Sequence, residues 1–331
     1  MAMERVPYLV GGGFEHSAEV MRSMLAAATS GAEGIVTPGD MKVQPLSVPG
    51  TAVRVAPGNA LIRNSYGGGQ AQTYAARSSS QTEVPIRETG SAGSRADLIV
   101  ARIDDPTYDG GTFDPNTFEA AKFQVIEGVS SSQKNLSGLG LSYPAIPLAR
   151  INIPKSTGTI TSDMITDLRS VALPRKSREL YVHPLVGDEG EYRLTDSTSD
   201  GGYWPNVTSW RVDVPEWAQR VRVIGHIGGV LLPRAGSNAW GRIWVRLGGM
   251  SDPDGMDSQA TAWSIPADLP LDIRDSWMFG DDRKVPAGMR GRNVTLGTRG
   301  RVFGPDRPGS FPTADYLTVL SLDVEFYETA V

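Results

Sequence analysis

The sequence predicts a mainly β protein: a short N-terminal helix with a compact β domain, then a C-terminal antiparallel β-sandwich of jelly-roll type. Three observations predict it. Glycine and proline are plentiful, 38 and 23 among 331 residues, and they gather as Pro-Gly, Gly-Gly-Gly and Ser-rich punctuation. Short segments between these turns carry apolar residues at every second position, the period of a half-buried strand. All seven tryptophans lie after residue 203, a split that two modules explain better than one.

Residues 1–34 are read as a leader and helix. MAMERVPYLVGGG ends in Gly11-Gly12-Gly13, a flexible stretch. HSAEVMRSMLAAATSG (16–31) is the clear helix: Ser17 can cap it, Glu19 lies in its first turn, and Gly31 ends it. Val20, Met24, Ala27 and Ala28, with Met21 and Leu25 beside them, form an apolar stripe. The stripe is expected to dock on its own domain or, alternatively, on the same helix of a sister subunit.

Residues 35–172 read as a β domain. Val53 and Val55 face one way and Arg54 the other, and Phe123 and Val125 alternate with Gln124 and Ile126. Residues 173–180, opening Leu173-Pro174-Arg175-Lys176, are polar and charged and are expected to be a linker. Strand patterning resumes over 181–331. The strongest runs are SWRVDVP, QRVRVIGHIGGVLLP, AWGRIWVRLG, NVTLGTRGRVF and YLTVLSLDVEFYE. In the last, Leu320, Leu322, Val324 and Phe326 alternate with Ser321, Asp323 and Glu325, the mark of a half-buried antiparallel strand.

Composition excludes several function classes. The net charge is −5 with no long basic run, so nucleic acid is not an expected partner. Cysteine is absent, which removes disulfides, cysteine-based zinc sites and thiol nucleophiles. No run of about 18 apolar residues exists, so no membrane insertion is expected. The N-terminus lacks the basic and apolar regions of a signal peptide, which implies synthesis as a soluble cytoplasmic chain.

Catalytic chemistry finds little footing. The three histidines, His16, His183 and His226, have no partner at motif spacing, and no nucleophile elbow, metal-protease or phosphate-loop motif is present. No enzyme activity and no cofactor are expected. A weak calcium candidate is Asp252, Asp254 and Asp257 in SDPDGMDSQ, but the spacing departs from a calcium loop and the closing Glu is missing. An Asp-rich turn without an ion is the favoured reading.

Tryptophans raise sugar binding, because indole faces stack on the apolar faces of sugar rings. Trp210, Trp240 and Trp244 sit inside β runs and are expected in the core. Tyr203 and Trp204 follow Asp200-Gly-Gly, and Trp277 lies in the loop-like DIRDSWMFGDDR, so these three are the receptor-contact candidates. Inward anchoring is the competing reading for each.

RADLIVARIDD (95–105) brackets Leu98, Ile99, Val100 and Ala101 with Arg95, Asp97, Arg102 and Asp104. ALARINIP and ITDLR echo it with Arg150, Asp167 and Arg169. These seven charged residues are expected to form structural ion pairs that set how strands or subunits meet, with Arg102 or Arg150 pairing to a carboxylate of the set.

GFEHSAEVMRSMLAAATSGAEGIVTPGDMKVQPL, AVRVAPGNALI, RADLIVARIDDP and YPAIPLARINIPKSTGTITSDMITDLR occur in that order between about residues 11 and 174. This half resembles minor tail proteins of long-tailed phages that infect actinobacteria. VPEWAQRVRV is similar to strand openings in their variable C-terminal modules. The resemblance implies a virion protein of the tail tip or baseplate, commonly a homotrimer. Its N-terminal half would attach to other tail proteins, and its C-terminal domain would face or bind the host surface, with a cell-surface glycan as a ligand. The alternatives are a glycan-degrading tail enzyme and a purely architectural part without receptor contact.

Overall fold

The computed structural model describes residues 16–69, 71–110, 113–114, 116–185, 192–205, 210–234, 238–304 and 311–331. The expected leader, residues 1–13, lies outside them. The chain forms two compact units, Met1–Pro174 with Thr329–Val331, and Arg175–Glu328.

The first unit opens with α1 (Ala18–Ala28), whose N-cap Ser17 accepts a hydrogen bond from the Glu19 amide. Gly31 follows in the left-handed region at φ +66. The helix docks through a different face from the one its apolar stripe suggests. Met21 and Met24 are exposed, as are Ala27 and Ala28, while Ala26 is buried. A polar anchor decides the face: Arg22 donates to Gln72 Oε1 at 2.7 Å and pairs with Asp105 at 3.2 Å. Tyr74 donates to the same Asp105 at 2.9 Å. Tyr66, stacked on Tyr108 at 5.0 Å, donates to Asp109; burial first, and then this bond, push its hydroxyl up to about 12.

Ten strands follow in this unit: β1 (Gly34–Ile35), β2 (Val43–Pro45), β3 (Ala52–Val55), β4 (Gly58–Arg63) and β5 (Thr73–Ser78) come first. After them come β6 (Thr82–Pro85), β7 (Arg95–Ile103), a helical turn α2 (Pro106–Asp109), β8 (Ala121–Val129), β9 (Ala145–Ile153) and β10 (Ile165–Asp167). They make small antiparallel sheets in the orders β1-β4-β5, β2-β3-β6 and β10-β9-β7-β8. Val53, Val55, Ile62, Ile99, Leu148 and Ile151 converge in one core.

RADLIVARIDD is β7, paired on both sides, with Leu98, Ile99 and Val100 fully buried. Its charges pair both along the strand and across it, where Lys122 of β8 reaches Asp104 at 2.5 Å. Residues i and i+2 share a face of a strand, and Arg95 reaches the buried Asp97 with bonds of 2.8 and 3.0 Å. Arg102 reaches Asp104 at 2.5 Å and stacks on Tyr143 at 3.7 Å. Arg169 grips Asp167 at 2.6 Å and also donates to the Asp40 and Val331 carbonyls, holding residues 329–331 in this unit. Arg150 meets no carboxylate among the described residues. It donates to Asn152, the Gln133 carbonyl and Thr166.

The second unit contains β11 (Lys176–Pro184), β12 (Tyr192–Arg193), β13 (Gly202–Tyr203), β14 (Trp210–Asp213), β15 (Arg220–Leu232) and β16 (Ala239–Leu247). It continues with β17 (Met256–Asp257), β18 (Thr261–Ile265), β19 (Ile273–Lys284), β20 (Asn293–Gly304), β21 (Thr313–Ala314) and β22 (Val319–Tyr327). One sheet runs β11-β22-β15-β21-β12, with β19 also on β15. The other runs β13-β20-β16-β17, with β14 on β20 and β18 on β16. Val221, Val223, Ile227, Leu320 and Leu322 of the first meet Ile243, Val245, Leu296 and Val302 of the second in one core. The unit is an antiparallel β-sandwich.

Part of the stretch predicted as a linker, residues 173–180, is β11. Its charges suit an edge strand, where charge protects against stray pairing: on one face Arg178 donates to Asp323 of β22 at 2.9 Å and Lys176 reaches Glu325 at 3.7 Å, and on the other Glu179 accepts from Tyr181.

Buried acid-base pairs make this unit acid-sensitive. Two Arg274 bonds, of 2.9 and 2.7 Å, hold the Asp315 carboxyl below its ordinary 3.8. A depressed folded-state value contributes stability at neutral pH that is lost as pH falls below about 4. Asp315→Asn is expected to lower stability at pH 7 and to flatten its fall between about pH 4 and 2. Urea midpoints measured across that range check this.

Candidate functional site

The site starts from the alternation in β16, Ala239-Trp-Gly-Arg-Ile-Trp-Val-Arg-Leu247. Ala239, Ile243, Val245 and Leu247 join the core. Period 2 then sends Trp240, Arg242, Trp244 and Arg246 to the opposite face. β20 lies beside it with Arg301 opposite Arg242 and Arg299 opposite Trp244. A bulge between Trp240 and Gly241 shifts the register at the end. On the other flank, β18 places Ala262 opposite Arg242 and Ser264 opposite Trp240.

One end of this face is sealed. Trp244 donates its indole N–H to Asp257 at 3.0 Å, Arg246 reaches the same carboxylate at 3.2 Å, and Arg299 lies over the Trp244 ring at 5.6 Å. Arg299 also donates to the Gly201 carbonyl at 2.8 Å.

The other end is open. Trp240 is 49% exposed and Phe303 47%. They border a depression of about 500 Å³ lined also by Gly241, Arg242, Ala262, Trp263 and Ser264. Arg301 lies over Phe303 at 4.2 Å and donates to the Ser199 carbonyl at 2.7 Å. Gly241 is required here: a Cβ would stand 2.0 Å from the Arg301 carbonyl oxygen and 2.4 Å from the Trp263 ring. Beneath lies a tryptophan stack, Trp263 against Trp277 at 5.6 Å and nearly parallel, with Trp204 at 5.8 Å from Trp277. The support is therefore rigid and apolar, and the exposed rings above it are held by paired strands.

Sequence reasoning expected Trp244 to be buried, as it is at 6% exposure, and left Trp204 and Trp277 open between receptor contact and inward anchoring. Trp204 and Trp277, candidates for receptor contact, are 3% and 8% exposed core residues. Trp277 lies within β19, not a loop, and its indole N–H is satisfied by Asp275 at 3.0 Å. Trp204 donates to the Tyr192 carbonyl at 2.8 Å. Tyr203 is half-buried, on the short strand that pairs with β20. Trp240, expected in the core, is the exposed one. The signal was present in the strict alternation of Trp and Arg against Ala, Gly, Ile, Val and Leu along β16: arginines on a face mark it as the outer one.

The acidic turn is occupied by arginine. Arg292 reaches Asp252 at 2.8 Å and Asp254 at 3.3 Å, and it holds the Asp252 carboxyl below the usual range. Asp257 faces Arg246 and Trp244. No group of carboxylates or histidines among the described residues is arranged to hold a metal ion.

No protein-family model and no curated protein matches the chain. Among solved structures, it is similar to the infectious bursal disease virus VP2 subviral particle at 13% identity. That alignment covers 91% of this chain and 75% of the other, with a TM-score of 0.26. T=1 particles derived from the same virus align at 13% identity over 91% and 73%, with a TM-score of 0.25. Carbohydrate-binding modules of the β-sandwich superfamily align at 9% identity over 88% and 98%, with a TM-score of 0.18. Superpositions this loose carry no argument. The sandwich rests on the chain's own two sheets and shared core.

Proposed function

We propose that the protein is a structural component of a phage tail tip or baseplate whose C-terminal sandwich binds a saccharide on the host surface, without turnover. The observation that carries the binding half is the open end of the β16 face, where Trp240 and Phe303 are exposed side by side with a depression between strands. A sugar ring laid on an indole buries apolar C–H surface while its hydroxyls stay hydrated, and a ring held by paired strands loses little freedom on binding. The tail half rests on the resemblance of residues 11–174 to tail proteins. In this reading that half attaches to other tail proteins in a homotrimer.

Purified protein mixed with host cells, or with their wall polysaccharide, tests it. Trp240→Ala is expected to weaken binding by roughly thirty-fold, the effect of truncating an anchor worth about 2 kcal/mol. The thermal midpoint should move far less than the affinity, because about half of the residue is already in water. Binding unchanged by the substitution would refute the site. Release of reducing ends that Asp or Glu substitutions abolish would replace the reading with a glycan-degrading enzyme.

A further inference from the structure

We infer that the ligand of this face is an anionic saccharide, one carrying carboxylate or phosphate substituents. The inference rests on the saccharide-binding reading above and narrows it. Arg242 and Arg301 stand directly opposite each other on β16 and β20. Like charges at directly opposed positions of an antiparallel pair repel. Among the described residues neither meets a carboxylate. Arg242 has only a 3.5 Å contact to the Ala260 carbonyl, and Arg301 donates to the Ser199 carbonyl.

Several other arginines of the sandwich meet a carboxylate, while Arg211 donates to Asn293 and Thr295. Arg222 meets Glu325, Arg220 meets Asp282, Arg178 meets Asp323, Arg274 meets Asp315 and Arg292 meets Asp252. In a chain of net charge −5, two guanidinium groups directly opposed with no carboxylate between them, beside an exposed indole, cost stability. A ligand anion removes that cost. Guanidinium groups present paired N–H donors that match the two oxygens of a carboxylate or phosphate. Phe303 supports the Arg301 plane and limits its freedom before the ligand arrives. Trp240 then takes the sugar ring and the arginines its charged substituent.

Three probes are titrated into the full chain at low salt: polygalacturonate for carboxylate, poly(glycerol phosphate) for phosphate, and dextran as the neutral polymer. At least one polyanion is expected to bind ten-fold or more tightly than dextran, and added salt should erase most of that margin. Which polyanion binds better tells carboxylate from phosphate recognition. Arg242→Gln with Arg301→Gln is expected to abolish the preference. Arg242→Gln alone, at an exposed position, should reduce it and leave the ligand-free melting midpoint unchanged or raised, since a repulsion is relieved.

Dextran bound as tightly as both polyanions, or a preference that survives the double substitution, would overturn the inference while leaving saccharide binding intact. No binding of any of the three would overturn both. Polyanion binding lost in the arginine variants but kept in Trp240→Ala would uphold charge recognition and remove ring stacking.

Discussion

Trp277→Ala is expected to remove a large share of the C-terminal unit's stability, about 3–5 kcal/mol. Trp277 is 8% exposed and packs between Trp204 and Trp263, at 5.8 and 5.6 Å. Replacing a buried aromatic by alanine typically costs about 3–5 kcal/mol, the transfer of the ring plus the cavity it leaves. A domain's whole stability is of order 5–15 kcal/mol. The cavity should stay open, because Trp204 cannot collapse into it without breaking its bond to the Tyr192 carbonyl. All seven tryptophans lie between residues 204 and 277, within the C-terminal unit. Denaturation followed by tryptophan fluorescence therefore reports this unit alone, and the midpoint should fall steeply. A shift of only a few tenths of a kcal/mol would mean that the stack is not part of the core.

Asp97→Ala is the matching experiment in the N-terminal unit. Asp97 has no solvent exposure, accepts three bonds from Arg95, and accepts from the Gly128 amide at 3.1 Å. Removing one member of a buried pair leaves the other charged and dry, a loss of about 3–5 kcal/mol. Arg95 retains a little solvent, with a side chain 15% exposed, so the lower end of that range is expected. Hydrogen exchange along β7 and β8 should accelerate together, since Asp97 joins the two strands. Asp97→Asn, which keeps an acceptor for the Gly128 amide, should cost less than the alanine variant. Equal losses from the two would locate the effect in packing and not in the ion pair.

How much of this was legible in the sequence follows from what each pattern encodes. The helix from Ser17 to Gly31 and the alternation of β22 were readable because capping chemistry and a period of 2 are local. The face by which α1 docks was not, because Arg22 turns it and its partners, Gln72 and Asp105, come from elsewhere in the chain. Residues 173–180 contain the division between the two units, at Pro174 and Arg175, but that Lys176–Leu180 belong to β11 was not legible, for a related reason. A charged edge strand looks like a solvated connection until β22, some 140 residues later, supplies Asp323 and Glu325.

The partners of the RADLIVARIDD charges divide: Arg95 with Asp97 and Arg102 with Asp104 join i and i+2 on one face, while Lys122 of β8 and Arg22 of α1 reach Asp104 and Asp105 from elsewhere in the chain. The binding face was the least legible. Seven tryptophans in a β unit divide between core and surface by strand register, and a one-residue difference in register reverses every side chain. Only the arginines interleaved with Trp240 and Trp244 record the answer locally.

Hydroxyl-radical footprinting of the full chain, with and without host wall polysaccharide, tests the central claim most directly, because it reads each exposed side chain by position. Trp240 and Phe303 on one sheet, and Met278, 69% exposed on the outer face of the other, are all open to oxidation in the free protein. Binding at the β16 face should protect Trp240 and Phe303 several-fold and leave Met278 oxidised at its original rate. Protection of Met278 with Trp240 unchanged would place the ligand on the opposite sheet and contradict the account.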